Sequence, residues 1–159
     1  MDADLFRRLM GNFATGVTVV TTAVDGRLHG FTANAVTSVS LDPLLFLVCV
    51  DNRAHALKEL EHATHFGVSM LAEGQAEVSN IFAKTGPPEM GTLRSVPFHP
   101  GETGVPLVDG SIACLECEVT ERIAGGDHTI VIGRVVAGCH GEPTDPLLFF
   151  RGRYRRVGG

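Results

Sequence analysis

A chain of 159 residues is the size of one domain and can bury a core without disulfides or metal, and its hydrophobic and charged shares, 44% and 19%, are those of an ordinary soluble domain. A formal net charge of −5 argues against a nucleic-acid binder, since the only densely basic stretch is 151–156. No apolar run approaches the ~20 residues that span a bilayer, and the opening MDADLFRRLM lacks the positive-then-apolar order of a secretory leader, so no membrane and a cytoplasmic location are expected.

Residues 2–13 place Leu5, Phe6, Leu9 and Phe13 at helical spacing, which predicts a short amphipathic helix. From Gly16, GVTVVTTAV is β-branched almost throughout and predicts a strand, Asp25-Gly26 is a hairpin signal, and LHGFTANAV is the return strand. LLFLVCV (44–50) is too apolar to be half exposed and reads as a central strand. RAHALKELEHA (53–63) predicts a helix with Ala54, Leu57 and Leu60 toward the core; HFGVSML is a strand and EGQAEVSNIFA (73–83) a second helix.

The stretch 84–106 is rich in Pro and Gly and reads as a long surface loop, either a cover or a plain connector. SIACLECEVTERI then alternates, setting Leu115, Cys117 and Val119 on one face and Glu116, Glu118 and Thr120 on the other. AGGD is a tight turn, HTIVIGRVVAG runs back antiparallel, and LLFF and GRYRRV end the chain. About six to eight strands with two or three helices on the connections predict one mostly β domain over 1–159, an antiparallel barrel with helical trim.

Neither usual nucleotide cradle is present: no G-x-G-x-x-G follows a strand and no Walker A lysine loop occurs. Cys114-x-x-Cys117 has the spacing of half a zinc site, but residues three apart on a strand point to opposite faces, and His55 and His62 lack an acid or cysteine to complete a set, so no metal is expected. All four cysteines (Cys49, Cys114, Cys117, Cys139) lie in apolar runs, as suits reduced thiols.

More telling is GFTANAVTSVSLDP (30–43). Read as extended, it puts Thr32, Asn34, Ser38 and Ser40 on one face, a stripe of neutral donors that needs partners if buried. A cross-strand ladder would serve, and so would a ligand rich in acceptors, such as a phosphate or a polar ring. Asp51, Asn52 and Arg53 lead into the helix that holds His55, where capping and anion binding are both possible and compatible. His128 shares a strand face with Ile130 and Ile132 and is either a solvated strand end or a group at the barrel mouth. Arg151, Gly152, Arg153 and Tyr154 set the only tyrosine beside cations, in what is otherwise a solvated terminal strand.

Taken together, FATGVTVVTT, GFTANAVTSVSLDPLLFLVCVD, GDHTIVIGRV and LLFFRGRY closely resemble the flavin reductase-like family over roughly residues 5–156. The resemblance implies a flavin-binding split β-barrel, antiparallel and Greek-key-like, and the reductase component of a two-component flavin monooxygenase. It implies FMN or FAD held by Thr32, Ala33, Asn34, Ala35, Ser38 and Ser40, with Phe82 and Ala83 near the flavin and its phosphate on Asp51, Asn52, Arg53 and His55. NADH or NADPH would meet His128 and the stretch Arg151, Gly152, Arg153, Tyr154.

The resemblance further implies a homodimer with flavin near the subunit interface, and reduced flavin passed by diffusion to a flavin-dependent monooxygenase. Ala54 and His55 depart from the Ser or Thr that many members carry, and EMGTLRSV departs from the usual loop. Hydride transfer between two cofactors requires stacking and dryness rather than a strong acid or base, so His128 is expected to position the nicotinamide. A flavoprotein that retains its flavin to reduce another substrate, and a non-catalytic flavin- or haem-binding module, are the alternative readings.

Overall fold

The computed structural model describes residues 1–84, 93–141 and 143–158. The chain opens with helix α1 (Ala3–Met10), capped where Asp2 Oδ1 accepts the Leu5 N–H at 2.7 Å. Its apolar residues share a face, yet none is buried: Phe6 is 57% exposed, and Phe13 just beyond the helix 70%. After the short β1 (Thr15–Gly16), β2 (Thr18–Val24) and β3 (Arg27–Ala33) form the expected hairpin. Both of its turn residues have positive φ, 50° at Asp25 and 74° at Gly26, as a tight two-residue turn requires.

The chain leaves the sheet at Asn34-Ala35 and enters β4 (Val36–Leu41), then β5 (Leu44–Asp51). Next come α2 (His55–His62), β6 (His65–Met70), and a 3-10 turn (Glu73–Gln75) running into α3 (Ala76–Phe82). A second 3-10 turn (Leu93–Ser95), β7 (Phe98–Pro100) and β8 (Pro106–Val108) precede the long hairpin β9 (Ala113–Gly125) and β10 (His128–His140). β11 (Leu148–Phe150) and β12 (Arg153–Arg155) finish the fold.

Seven strands form one sheet in the order β3-β2-β6-β9-β10-β5-β4, every neighbouring pair antiparallel. Its edges, β3 and β4, are consecutive in sequence, and Ala33 of β3 shares a core with Phe46, Val48 and Val50 of β5. The sheet therefore curls upon itself without closing, the split antiparallel barrel expected. Val20, Phe66, Val68, Cys117 and Val131 fill it, and α2 adds Ala56, Leu57 and Leu60. Arg122 fastens the far end of α2 by donating from Nη2 to the carbonyls of Leu60 (2.7 Å) and Ala63 (2.9 Å). A second core lies outside β2, where Val17 and Val19 meet Leu71, Phe82, Leu93, Val96 and Leu147.

Several expectations are corrected. β5 is not buried on both faces: Phe46, Val48 and Val50 are buried, whereas Leu45, Leu47 and Cys49 are half exposed, because among the described residues the outer face is left open. The stretch 84–106 is not one surface loop: Leu93 and Val96 enter the second core and β8 is wholly buried, while residues 85–92, with the loop reading that falls on them, lie outside the described residues. On β9 the apolar face is as expected, but Glu116 is buried opposite it. Its carboxylate accepts the N–H groups of Glu102 (2.9 Å) and Thr103 (2.7 Å), satisfying its charge under the turn between β7 and β8. No helix among the described residues is long and apolar enough to cross a membrane.

Candidate functional site

The exposed outer face of β5 forms one wall of a cleft of ≈ 750 Å³. Leu47 and Cys49 line it, joined by Asn34, Ala35 and Thr37 from the crossover into β4, by Met70 and Ile112, and by the segment from Met10 to Thr18. The walls are mainly apolar with a few polar groups, the usual character of a small-molecule site. Thr15 lines the cleft and its Oγ1 is buried without a partner among the described residues. Burial pushes the Cys49 thiol up, so that at neutral pH it is a small apolar surface.

Strand register extends this wall. Leu47, Cys49 and Asp51 alternate onto the outer face of β5, and their partners on β10 are Ile132, Ile130 and His128. His128 therefore shares a face with Ile130 and Ile132 as expected, at the end of a double row that starts in the cleft. Gly126, with φ of 72°, and Asp127 make the two-residue turn, while Gly125 belongs to β9.

Around His128 the polar groups are tied together. His128 Nδ1 lies 2.7 Å from Asp127 Oδ1, and that hydrogen bond holds the Asp127 carboxyl below its usual range. Opposite an ionised Asp127, Nδ1 is the donor of this pair, and in the neutral ring with that tautomer Nε2 is the acceptor. Asn52 donates its N–H to Asp127 O (3.0 Å) and accepts the Thr129 hydroxyl on Oδ1 (2.8 Å), which clamps the end of β5 to the hairpin.

Asp51 does not cap α2, nor does Asn52: the N-cap is Ala54, with no side-chain bond. Asp51 Oδ1 instead accepts the Arg53 backbone N–H (2.8 Å), and its two oxygens take Arg53 Nε (3.1 Å) and Nη2 (2.8 Å). These hydrogen bonds hold the Asp51 carboxyl well below the usual carboxylate range. Exposed pairs of this sort contribute little stability, so the guanidinium can turn to an incoming anion. His55 is half buried and stacks on His29, and its Nδ1 has no partner among the described residues.

The expected single stripe from Thr32 to Ser40 is broken twice. Thr32 sits on the outer face of β3 opposite Val19, where its hydroxyl donates to Ser79 O of α3 at 2.6 Å, while Ala33 points into the barrel core. Past the crossover, a bulge between Ser38 and Ser40 puts them opposite Phe46 and Leu45, neighbours on β5 that face opposite ways. Thr37, absent from the sequence reading, is the hydroxyl that β4 gives to the cleft.

A separate group gathers on α3. Phe82 lies so close to β3 that a Cβ at Gly30 would meet its ring at 2.9 Å. Tyr154 Oη lies 2.8 Å from Ser79 Oγ and 2.9 Å from Asn80 Oδ1, with its ring edge-on to Phe149. Ala83 is the exposed C-cap of α3. Arg151 and Gly152, at φ of 50° and 73°, turn β11 into β12, and Arg151 donates through its N–H to Gly11 O and through Nε to Asn12 Oδ1. Arg153 is exposed. His128 and the stretch 151–154 thus belong to different sheets of the chain.

The family described as flavin reductase like domain matches residues 10–158. An NADH-dependent FAD reductase of Streptomyces globisporus is 41% identical over 152 residues, which cover 94% of this chain and 83% of that protein. The reductase subunit HsaB of a flavin-dependent monooxygenase from Mycobacterium tuberculosis is 35% identical over 159 residues, 99% of this chain and 83% of its own. The solved structure of the Streptomyces globisporus NADH:FAD oxidoreductase SgcE6 in complex with NAD and FAD fragments superposes with a TM-score of 0.92 at 39% identity, covering 99% of this chain and 93% of that one. An antiparallel split barrel with an apolar cleft on its outer face, matched over nearly its whole length, belongs to the flavin reductase-like family.

Proposed function

We propose that the protein is an NAD(P)H:flavin oxidoreductase that reduces FAD or FMN and supplies the reduced flavin to a partner monooxygenase. The observation that carries this reading is the double row on β5 and β10, which leads from an apolar cleft to His128. The residues present fit a flavin: Leu47, Cys49, Met70 and Ile112 offer apolar walls to a flat ring, and the orphaned Thr15 Oγ1, with Asn34 and Thr37, offers hydrogen bonds to its polar edge. When bound, the flavin accepts and the nicotinamide donates the hydride.

The chain's own part is to bind, orient and keep dry. The cleft walls would exclude water from the ring. Arg53, released from Asp51, would take a flavin phosphate together with the N–H groups that open α2, with His55 beside them. His128 Nε2 would accept a hydrogen bond from the nicotinamide carboxamide, fixing the donor ring without itself moving a proton. Of the remaining residues named from the resemblance, Thr32, Phe82 and Tyr154 act through α3, whose position they set. Arg151 and Arg153 remain as cations for a dinucleotide phosphate.

The working unit we propose is a homodimer, in the cytoplasm. An amphipathic helix that buries none of its own residues calls for a partner surface, and Met10 and Phe13 at its end line the cleft. A second copy covering α1 would complete the flavin site. The function is tested by NADH and NADPH oxidation with FAD, FMN and riboflavin in turn. Saturation in free flavin is expected; absence of flavin-dependent oxidation with every pair would overturn the reading.

A further inference from the structure

β9 and β10 set two cysteines directly against each other: Cys114 and Cys139 are register partners near one end of the ladder. Opposed residues on antiparallel strands project to the same face, with Cα atoms about 4.5 or 5.5 Å apart according to the hydrogen-bonding class of the pair. Both separations lie within the ~4.4–6.8 Å that a disulfide spans. On its other side Cys114 is opposite Ser69, so Ser69, Cys114 and Cys139 form one row across β6, β9 and β10. Cys114 Sγ donates to Ser69 Oγ at 3.8 Å, and burial, with the Cys139 thiol adding to it, pushes the Cys114 thiol up to about 11.

The two differ in access. Cys114 is buried in the small cluster with Val105 and Leu107, whereas Cys139 is exposed. The other thiols are placed apart: Cys117 points into the barrel core and Cys49 lies opposite Ile130. Nothing in hydride transfer uses the Cys114–Cys139 row.

We propose that Cys139 and Cys114 form a peroxide-responsive pair that closes to a reversible disulfide. Hydrogen peroxide oxidises the exposed Cys139 thiol to a sulfenic acid: an S–O bond forms as the O–O bond breaks, and the second peroxide oxygen leaves as water with the thiol proton. The Cys114 sulfur then attacks the Cys139 sulfur; the S–S bond forms, the S–OH bond breaks, and the Cys114 proton leaves with that hydroxyl as a second water. Two thiols and one peroxide thus give one disulfide and two waters, the sulfurs giving up the two electrons that peroxide gains. Burial keeps Cys114 largely protonated, so its attack is driven by the direct opposition of the two sulfurs across the ladder rather than by thiolate character.

Reduced flavin that meets dioxygen in place of a partner enzyme yields hydrogen peroxide, so on the function proposed above this enzyme makes its own oxidant. The cross-link itself rests only on the two thiols. Ile112, two residues before Cys114, lines the cleft and accepts the Gly141 N–H at 2.8 Å, so the bond would clamp strand ends that back the flavin site. A cellular dithiol would reopen it.

The test uses reduced, flavin-free protein treated with hydrogen peroxide and then alkylated under denaturing conditions, with thiol count and peptide mass as readouts. Wild type is expected to lose two of its four thiols, to run as a single chain on a non-reducing gel, and to regain all four with dithiothreitol. Trypsin cuts at Arg122 and Arg134 between the two cysteines, so a linked peptide pair should appear, with fragmentation locating the bond at Cys114 rather than Cys117. Cys139→Ser should keep its three thiols, and Cys114→Ser should show a Cys139 sulfenic acid captured by dimedone. Equal dimedone capture in wild type and Cys114→Ser, a bond between chains, or a bond to Cys117 would each overturn the proposal. Activity is not among the readouts, so a failed reductase assay leaves this result standing.

Discussion

The imidazole of His29 lies over that of His55, with ring centroids 5.6 Å apart and planes 26° from parallel, so β3 meets the first turn of α2 through two stacked histidines. His29 is a buried residue, and burial lowers its pKa; the neighbouring His55 lowers it further, while Glu59 on α2 opposes both. A histidine depressed in the fold stabilises it above the unfolded pKa of about 6.5, and that stability is lost as pH falls toward the folded value. Melting temperature should therefore drop on acidification from about pH 7 to 5.5, and His29→Phe, which keeps a stacking ring without a charge, should flatten the decline. Parallel profiles for the two proteins in thermal denaturation would show that the pair carries none of the pH dependence.

Gly133 of β10 lies hard against the barrel core. A Cβ there would lie 2.6 Å from Phe66 Cε1 and 2.7 Å from Cys117 Cβ, and neither neighbour is the free end of a flexible chain. Gly133→Ala should cost about 1–3 kcal/mol, the usual range for overpacking a filled core. For a domain of this size, that is roughly 2–4 °C in melting temperature per kcal/mol. An unchanged denaturant midpoint would mean that Phe66 has room to move.

The parts of this fold that are legible in sequence are those that repeat locally. Asp25-Gly26 and the glycine-rich turn before His128 announce the two long hairpins, and strand parity alone places His128 beside Ile130 and Ile132. β1, β7, β8, β11 and β12 are two or three residues each, too short to carry a period. The donor stripe misleads because parity holds only along an unbroken strand, and this one turns out of the sheet at Asn34-Ala35 and then bulges at Val39. The cleft draws on residues from Met10 to Pro146, which only the tertiary fold assembles. Local pattern favours a cap at Asp51 or Asn52, but the fork to Arg53 takes the Asp51 carboxylate and the N-cap falls on Ala54.

Helix α1 is a case where pattern is legible and burial is not: its apolar face is clear in the sequence, yet none of its residues is buried among the described residues. Phe6→Glu places a charge in the middle of its exposed apolar face. On the homodimer proposed above, the substitution should shift the protein toward monomer in light scattering, with little change in the monomer's own fold, since Phe6 makes no part of either core. The KM for flavin should rise with it, because Met10 and Phe13 lead from the same helix into the cleft. A variant that stays dimeric with wild-type flavin kinetics would place the interface elsewhere.

His128 is best tested by separating its two neighbours. If Nε2 accepts a hydrogen bond from the nicotinamide, His128→Ala removes about 1–1.5 kcal/mol of binding, or roughly a ten-fold rise in KM for NADH. Flavin KM should change far less, because His128 stands at the end of the double row whereas Leu47 and Cys49 line the cleft itself. His128→Gln keeps an acceptor and should recover part of the loss. Asp127→Ala should produce a smaller rise in the same direction, since it only frees the ring that the 2.7 Å hydrogen bond orients. Steady-state kinetics with NADH and NADPH distinguish these outcomes. Unchanged constants in His128→Ala would take the histidine out of the site, whereas equal rises for flavin and nicotinamide would give it a role in holding the β9–β10 turn against Asn52.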